Sequence, residues 1–118
     1  MILKDKVIIV TGGSGLLGKS IVNDIKKEGG IAINIDINNE TIPSNHLYKL
    51  DLTETEFAIK FKNILKNYSK IDGLVNNAYP RTNDWGNRFE DLDLNSFKLN
   101  VDWQMNSVFN IIKEVISK

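Results

Sequence analysis

The chain has 118 residues and a mass of 13.4 kDa, enough for one hydrophobic core and too little for two. Lys plus Arg total 15 and Asp plus Glu total 15, a balance that excludes capture of nucleic acid or of an anionic membrane through bulk charge. Cysteine is absent, a single histidine is present, and no apolar run approaches the roughly 20 residues of a membrane span, so disulfides, thiol catalysis, a metal centre and membrane association are not expected.

Strand and helix patterns alternate along the chain. Residues 6–11 hold Val7-Ile8-Ile9-Val10, a short unbroken apolar run suited to a strand buried on both faces. That run is too short for the core of a secretion signal, and the expected location is the cytoplasm. From Leu16 onward, Leu17, Ile21 and Ile25 recur every four positions, which predicts a helix stopped by Gly29-Gly30. Residues 31–36 form a second β-branched run, and residues 46–50 a third, weaker one. Thr53 and Glu56 have capping-box spacing ahead of a helix carrying Phe57, Phe61, Ile64, Leu65 and Tyr68. Residues 71–76 read as the fourth strand and residues 77–93 as a loop. Asn95 or Ser96 then caps a last helix with the stripe Phe97, Val101, Met105, Val108, Ile112 and Val115. This order predicts an α/β fold with a parallel sheet and crossover helices.

The chemistry lies where the first strand meets the first helix. The segment reads Thr11-Gly12-Gly13-Ser14-Gly15-Leu16-Leu17-Gly18, and Gly13, Gly15 and Gly18 satisfy the G-x-G-x-x-G spacing. Glycines permit the tight turn and let backbone approach a pyrophosphate, Gly13 being the expected point of approach. The N–H groups and dipole of the helix start favour the anion. An acid is expected about 20 residues on, at the end of the second strand, and Asp36 stands there. Its carboxylate can accept both ribose hydroxyls and would repel a 2′-phosphate, so NAD is expected over NADP.

Thr11-Gly12-x-x-Gly15-x-x-Gly18, then Asp51, then Asn76-Asn77-Ala78, resembles the short-chain dehydrogenase/reductase superfamily. The resemblance implies one Rossmann-type domain over residues 1–118, with about four strands in the order 3-2-1-4, truncated relative to the full family domain. It implies that Asp51, with Leu52 beside it, contacts the adenine, and that Asn77, Ala78 and Tyr79 flank the nicotinamide. The family's catalytic Asn falls on Gln104. Its catalytic Ser and Tyr-x-x-x-Lys would lie beyond residue 118, since Tyr48, Tyr68 and Tyr79 are followed four positions on by Leu52, Asp72 and Asn83. The family pattern also has Gly where Tyr79 stands. More narrowly, Asn76-Asn77-Ala78-Tyr79-Pro80-Arg81 and Gly29-Gly30-Ile31-Ala32 resemble oxidoreductases of flagellin modification and nonulosonate-type surface sugars.

Arg81 and Arg88, the only two arginines, fall in the loop after the fourth strand, at the sheet edge where open α/β folds bind ligands. Both are candidate substrate contacts, and Tyr79 and Trp85 could wall a sugar pocket. His46 reads as an exposed strand start without partners, and Asp72 as a turn residue. The expected function is NAD-dependent oxidation or reduction of an alcohol or sugar-derived small molecule. The chain would supply the cofactor half and be inactive alone, as a piece of a longer enzyme. The alternatives are a sugar-nucleotide epimerase or dehydratase of the extended branch, whose glycine spacing also fits, and a catalytically silent NAD-binding module. An open edge on the fourth strand, with Trp103, Phe109, Ile111 and Ile116 off the main stripe of the last helix, points to a homo-oligomer.

Overall fold

A computed structural model describes residues 1–118. Four strands, β1 (Val7–Thr11), β2 (Ile31–Asp36), β3 (Leu47–Lys49) and β4 (Gly73–Asn76), form one parallel sheet in the order β3-β2-β1-β4. The register pairs Val7 with Ile31 and Thr11 with Ile35, and Ile8 with Gly73 and Thr11 with Asn76. The order 3-2-1-4 is the one the family resemblance implies. β1 is central and hydrogen-bonded on both sides, which explains why it reads as an unbroken apolar run.

The strand period of two sorts the core onto two faces. On one, Ile9, Ile33, Ile35 and Tyr48 pack against Phe57, Phe61 and Leu65 of α2 (Phe57–Leu65) and against Ile111. On the other, Val10 and Ala32 pack against Val22 and Ile25 of α1 (Leu16–Lys27). Phe57 and Phe61 stack with centroids 5.4 Å apart. No helix is long and apolar enough to cross a membrane.

Several local expectations are corrected. The buried face of α1 is Gly18, Val22 and Ile25, while Leu17 is 68% exposed. The helix is turned because Gly18 must lie against the Gly12 carbonyl. The capping box at Thr53 and Glu56 does not form. The Thr53 hydroxyl and N–H instead donate to Asp51 Oδ1 at 2.6 and 2.8 Å, and α2 begins only at Phe57. β3 is shorter than residues 46–50, because His46 takes a left-handed φ of 58° after the turn Pro43–Asn45. His46 is not without partners: its Nδ1 lies 2.9 Å from the Tyr68 hydroxyl, which also meets the Tyr48 hydroxyl at 3.0 Å. Burial and the Tyr48 hydrogen bond push the Tyr68 phenol well above its ordinary pKa.

The last helical region differs most. It runs as α3 (Leu94–Val101), a wide π turn (Asp102–Asn106) and α4 (Ser107–Ile116). Its cap is Asp93, whose carboxylate accepts the Asn95 and Ser96 N–H groups at 3.0 and 3.2 Å, rather than Asn95 or Ser96. Only part of the predicted stripe faces inward: Val115 packs against the main core and Val108 is half-buried, whereas Phe97, Val101, Met105 and Ile112 are exposed, and the buried positions are Asn100, Ser107 and Ile111.

Asp72 anchors the start of β4. It accepts the Val7 N–H at 2.8 Å, its own N–H donates to the Val7 carbonyl at 2.7 Å, and Lys70 sits 3.0 Å from its carboxylate. The Val7 hydrogen bond, then Lys70, hold its carboxyl below the usual carboxylate range. A depressed native pKa gives stability that is present above the unfolded value and lost as pH falls through the native one. Asp72→Asn should therefore melt below the wild type at neutral pH, with the margin closing as pH drops from about 5 to about 2. A margin constant across thermal melts in that range would contradict this role. Phe61 is fully buried. Phe61→Ala should cost about 3–5 kcal/mol, read by urea denaturation; a loss below about 1 kcal/mol would show that the face is not close-packed there.

Candidate functional site: a cleft at the carboxyl edge of the sheet

The segments that follow all four strands converge on one cleft of about 920 Å³. Its floor is the glycine turn between β1 and α1. Gly12 holds a φ of +66°, a left-handed conformation that favours glycine, and a Cβ there would lie 3.0 Å from the Ala78 Cα. A Cβ on Gly18 would lie 2.0 Å from the Gly12 carbonyl, so this glycine lets α1 dock. Gly15 has only the Gly12 carbonyl within reach, at 3.4 Å, and lines the cleft with Leu16 and Leu17. α1 has no side-chain cap, so its first-turn N–H donors face the cleft mouth unclaimed by the helix.

Gly13 has a different reason from the one expected. A Cβ there would meet Asn34 Oδ1 at 2.4 Å, inside the protein, and Gly13 does not line the cleft. The exposed approach to the turn belongs to Gly15. Thr11 also lies beneath the cleft, where its Oγ1 accepts the N–H groups of Asn77 and Ala78, each at 3.1 Å. The Asn77 amide donates to the Gly12 carbonyl at 3.1 Å. The ends of β1 and β4 are thereby joined by side chains as well as by the ladder.

Asp36 closes β2 and lines the cleft while nearly buried. Its two oxygens accept the Ser14 N–H at 3.0 Å and the Asn38 N–H at 2.9 Å. The Ser14 hydroxyl is itself bound by the Asn39 side chain and by Asn34 Nδ2 at 3.2 Å. Asn39 Nδ2 reaches the Asn34 and Tyr48 carbonyls at 3.1 and 3.2 Å. Sequence reasoning missed this amide network. Its one signal is Asn34, a polar residue inside a β-branched strand.

Asp51, Leu52 and Thr53 supply the wall after β3, and Ile37 and Asn38 line the cleft after β2. Asn77, Ala78, Tyr79, Pro80 and Arg81 supply the wall after β4, and Trp103 of the π turn completes it. Sequence reasoning missed Ile37, Asn38, Thr53, Pro80 and Trp103 as cleft residues; Ile37 and Asn38 carry a signal, since they follow the acid directly. Gln104 does not line the cleft. Its Nε2 donates to the Pro80 carbonyl at 3.1 Å and bonds Asn100 Oδ1 at 3.4 Å. Asn100 in turn accepts the Thr82 N–H at 3.0 Å and donates to the Ser96 carbonyl at 2.7 Å. Gln104 and Asn100 thus brace the loop after β4.

The two arginines part company. Arg81 lines the cleft, with its Cζ 5.3 Å from the Tyr79 ring centroid. Arg88 points away into solvent, where Asp91 and Glu90 lie 3.0 and 3.5 Å from its guanidinium. Trp85 is also outside the cleft. It donates its Nε1–H to the Tyr79 hydroxyl and stacks on Phe97 with centroids 6.4 Å apart. The structure therefore brings neither Arg88 nor Trp85 to the cleft as the sequence reading expects.

Residues 6–118 match the family described as short chain dehydrogenase. The chain is 36% identical over 102 residues to post-translational flagellin modification protein A of Campylobacter coli, an alignment covering 71% of this chain and 38% of that protein. It is 39% identical over 87 residues to sorbitol-6-phosphate 2-dehydrogenase of Klebsiella pneumoniae, covering 67% and 33%. A short chain dehydrogenase from Leptospira borgpetersenii, solved with bound NAD+, superposes with a TM-score of 0.75 at 23% identity, covering 98% of this chain and 46% of that one. The chain thus spans about a third of the curated relatives and about half of that solved structure. The glycine turn, the acid closing β2, the Asn77-Ala78 exit from β4 and the match over residues 6–118 together establish that this chain belongs to the short chain dehydrogenase family.

Proposed function

We propose that the chain is the dinucleotide-binding half of an NAD-dependent oxidoreductase acting on an alcohol or a sugar-derived substrate. The observation that carries this reading is the Asp36 carboxylate. An ionised carboxylate offers about four acceptor sites. The Ser14 and Asn38 N–H groups occupy one on each oxygen, which fixes the group and leaves acceptors free for the two hydroxyls of a ribose. The uncapped start of α1 and the open side of Gly15 suit a pyrophosphate, and Ile37 and Leu52 offer apolar surface on either side of a base.

When bound, the nicotinamide supplies hydride transfer, and the protein supplies position and electrostatics. Asp36 orients the ribose, the turn seats the phosphates, and Asn77, Ala78 and Tyr79 direct the far end toward the exit of β4. Proton transfer to or from a substrate oxygen needs a group with a matched pKa. None of the three tyrosines has a lysine four residues on, so this step is assigned to residues outside this set. The same reading puts the protein in the cytoplasm as a homo-oligomer, and the exposed Phe97, Met105 and Phe109 offer apolar surface for association. A second reading, an extended-type sugar-nucleotide epimerase or dehydratase, draws on Gly12, Gly15 and Gly18 being the three glycines that shape the turn and the cleft.

Isothermal titration of the chain should show NAD binding at least about tenfold tighter than NADP, the scale of one unfavourable charge contact. Asp36→Ala should narrow the gap. Tighter binding of NADP by the wild type would sink the assignment, and binding of neither would sink the dinucleotide reading itself. The turn offers a second check. Gly13→Ala should destabilise the chain by about 1–3 kcal/mol, because the methyl meets Asn34. In a double-mutant cycle with Asn34→Ala, the combined loss in urea denaturation should fall short of the sum. Strict additivity would show that the turn does not rest on Asn34.

A further inference from the structure

Beside the cleft lies a second recess, of about 510 Å³, lined by Tyr79, Arg81, Thr82, Asn83 and Gly86. Tyr79 and Arg81 belong to both walls, so the two spaces meet at this pair. Arg81 is the one charged side chain lining the recess. It makes no ion pair, whereas Arg88, the other arginine, has Glu90 and Asp91 against it. The Asp84 carboxylate is turned elsewhere: it accepts the Thr82 hydroxyl at 2.7 Å and the Asp93 N–H at 3.3 Å.

The guanidinium is held in place without being neutralised. It lies over the Tyr79 ring, and Nη1 donates to the Tyr79 carbonyl at 3.3 Å. Trp85 fixes the Tyr79 hydroxyl and is itself stacked on Phe97 of α3. Five N–H donors with one committed leave most of a planar fork uncommitted at the recess wall, suited to two oxygens of one anion. The Asn83 amide makes no hydrogen bond within the protein and adds a neutral donor.

Resting on the oxidoreductase reading above, we propose that Arg81 determines substrate class by holding an anionic group, a phosphate or a carboxylate, that the substrate carries away from its reacting carbon. The recess receives this group, and the adjoining cleft receives the rest of the substrate beside the dinucleotide. A neutral polyol forgoes this contact and binds more weakly.

The test uses the chain saturated with NAD. Sorbitol 6-phosphate, gluconate and sorbitol are titrated in turn, followed by tryptophan fluorescence from Trp85 and Trp103 and by calorimetry. At least one anionic probe should bind roughly tenfold tighter than sorbitol, the scale of a charge-assisted hydrogen bond. Preference for sorbitol 6-phosphate identifies a phosphate, and preference for gluconate a carboxylate. Arg81→Gln should erase the preference, Arg81→Lys should retain part of it, and Arg88→Gln should leave it whole, with far-UV circular dichroism confirming the fold of each variant. Equal binding of all three probes, a preference that survives Arg81→Gln, or one lost equally in Arg88→Gln would overturn the proposal. Wild-type chain that binds NAD but shows no anion preference fails this inference alone. Failure to bind NAD fails the reading beneath it.

Discussion

A single atom, the Gly12 carbonyl oxygen, lies at the junction of the three parts that make the cleft. It accepts the Gly15 N–H at 3.1 Å, which closes the turn. It accepts the Asn77 amide at 3.1 Å, which fixes the exit of β4. It also occupies the space a side chain at residue 18 would need, so α1 can seat only over glycine. Turn, helix and neighbouring strand are thus positioned against one point, which sets the floor of the cleft and the wall after β4. The left-handed φ of Gly12 is the conformation that presents this oxygen inward.

The parts of this arrangement written as patterns were legible. Apolar strands bounded by glycine, a glycine turn opening a helix, and an acid closing the next strand require only local spacing. Strand order comes from the family resemblance; the pattern alone predicts a parallel sheet with crossover helices. What escaped depends on contacts that only the folded turns create, whether the partners are distant or two residues apart. Asn34 and Asn39 become meaningful only when the turn at Ser14 is folded against them. Trp103 enters the cleft because the π turn swings it there, and Thr53 serves Asp51 in place of a helix cap. Leu17 fits the apolar period of α1 yet faces outward, because the Gly18 contact outranks the burial of one leucine.

The last helical region shows why hydropathy alone misplaces a face. Its inner side packs largely on backbone rather than on the apolar sheet. Asn100 serves Thr82 and Ser96, Gln104 serves Pro80, and the Ser107 hydroxyl donates to the Leu52 carbonyl at 3.2 Å. Loop carbonyls and amides brought against a helix need donors and acceptors, and a leucine there would leave them unsatisfied. Ile111 is buried in the main core and Val115 packs against its edge. Most other apolar residues of this region accordingly lie on the side turned away from the sheet.

The placement of Asp36 bears on how such a site can change over evolutionary time. The carboxylate that would meet a ribose also terminates the Ser14 and Asn38 amides. On the reading proposed above, ribose contact and loop order would draw on the same two oxygens. A lineage drifting toward a more highly phosphorylated nucleotide cannot simply discard the acid. It must supply a replacement acceptor for both amides, from the side chain at 36 or from Ile37 onward, before the new preference is compatible with an ordered turn.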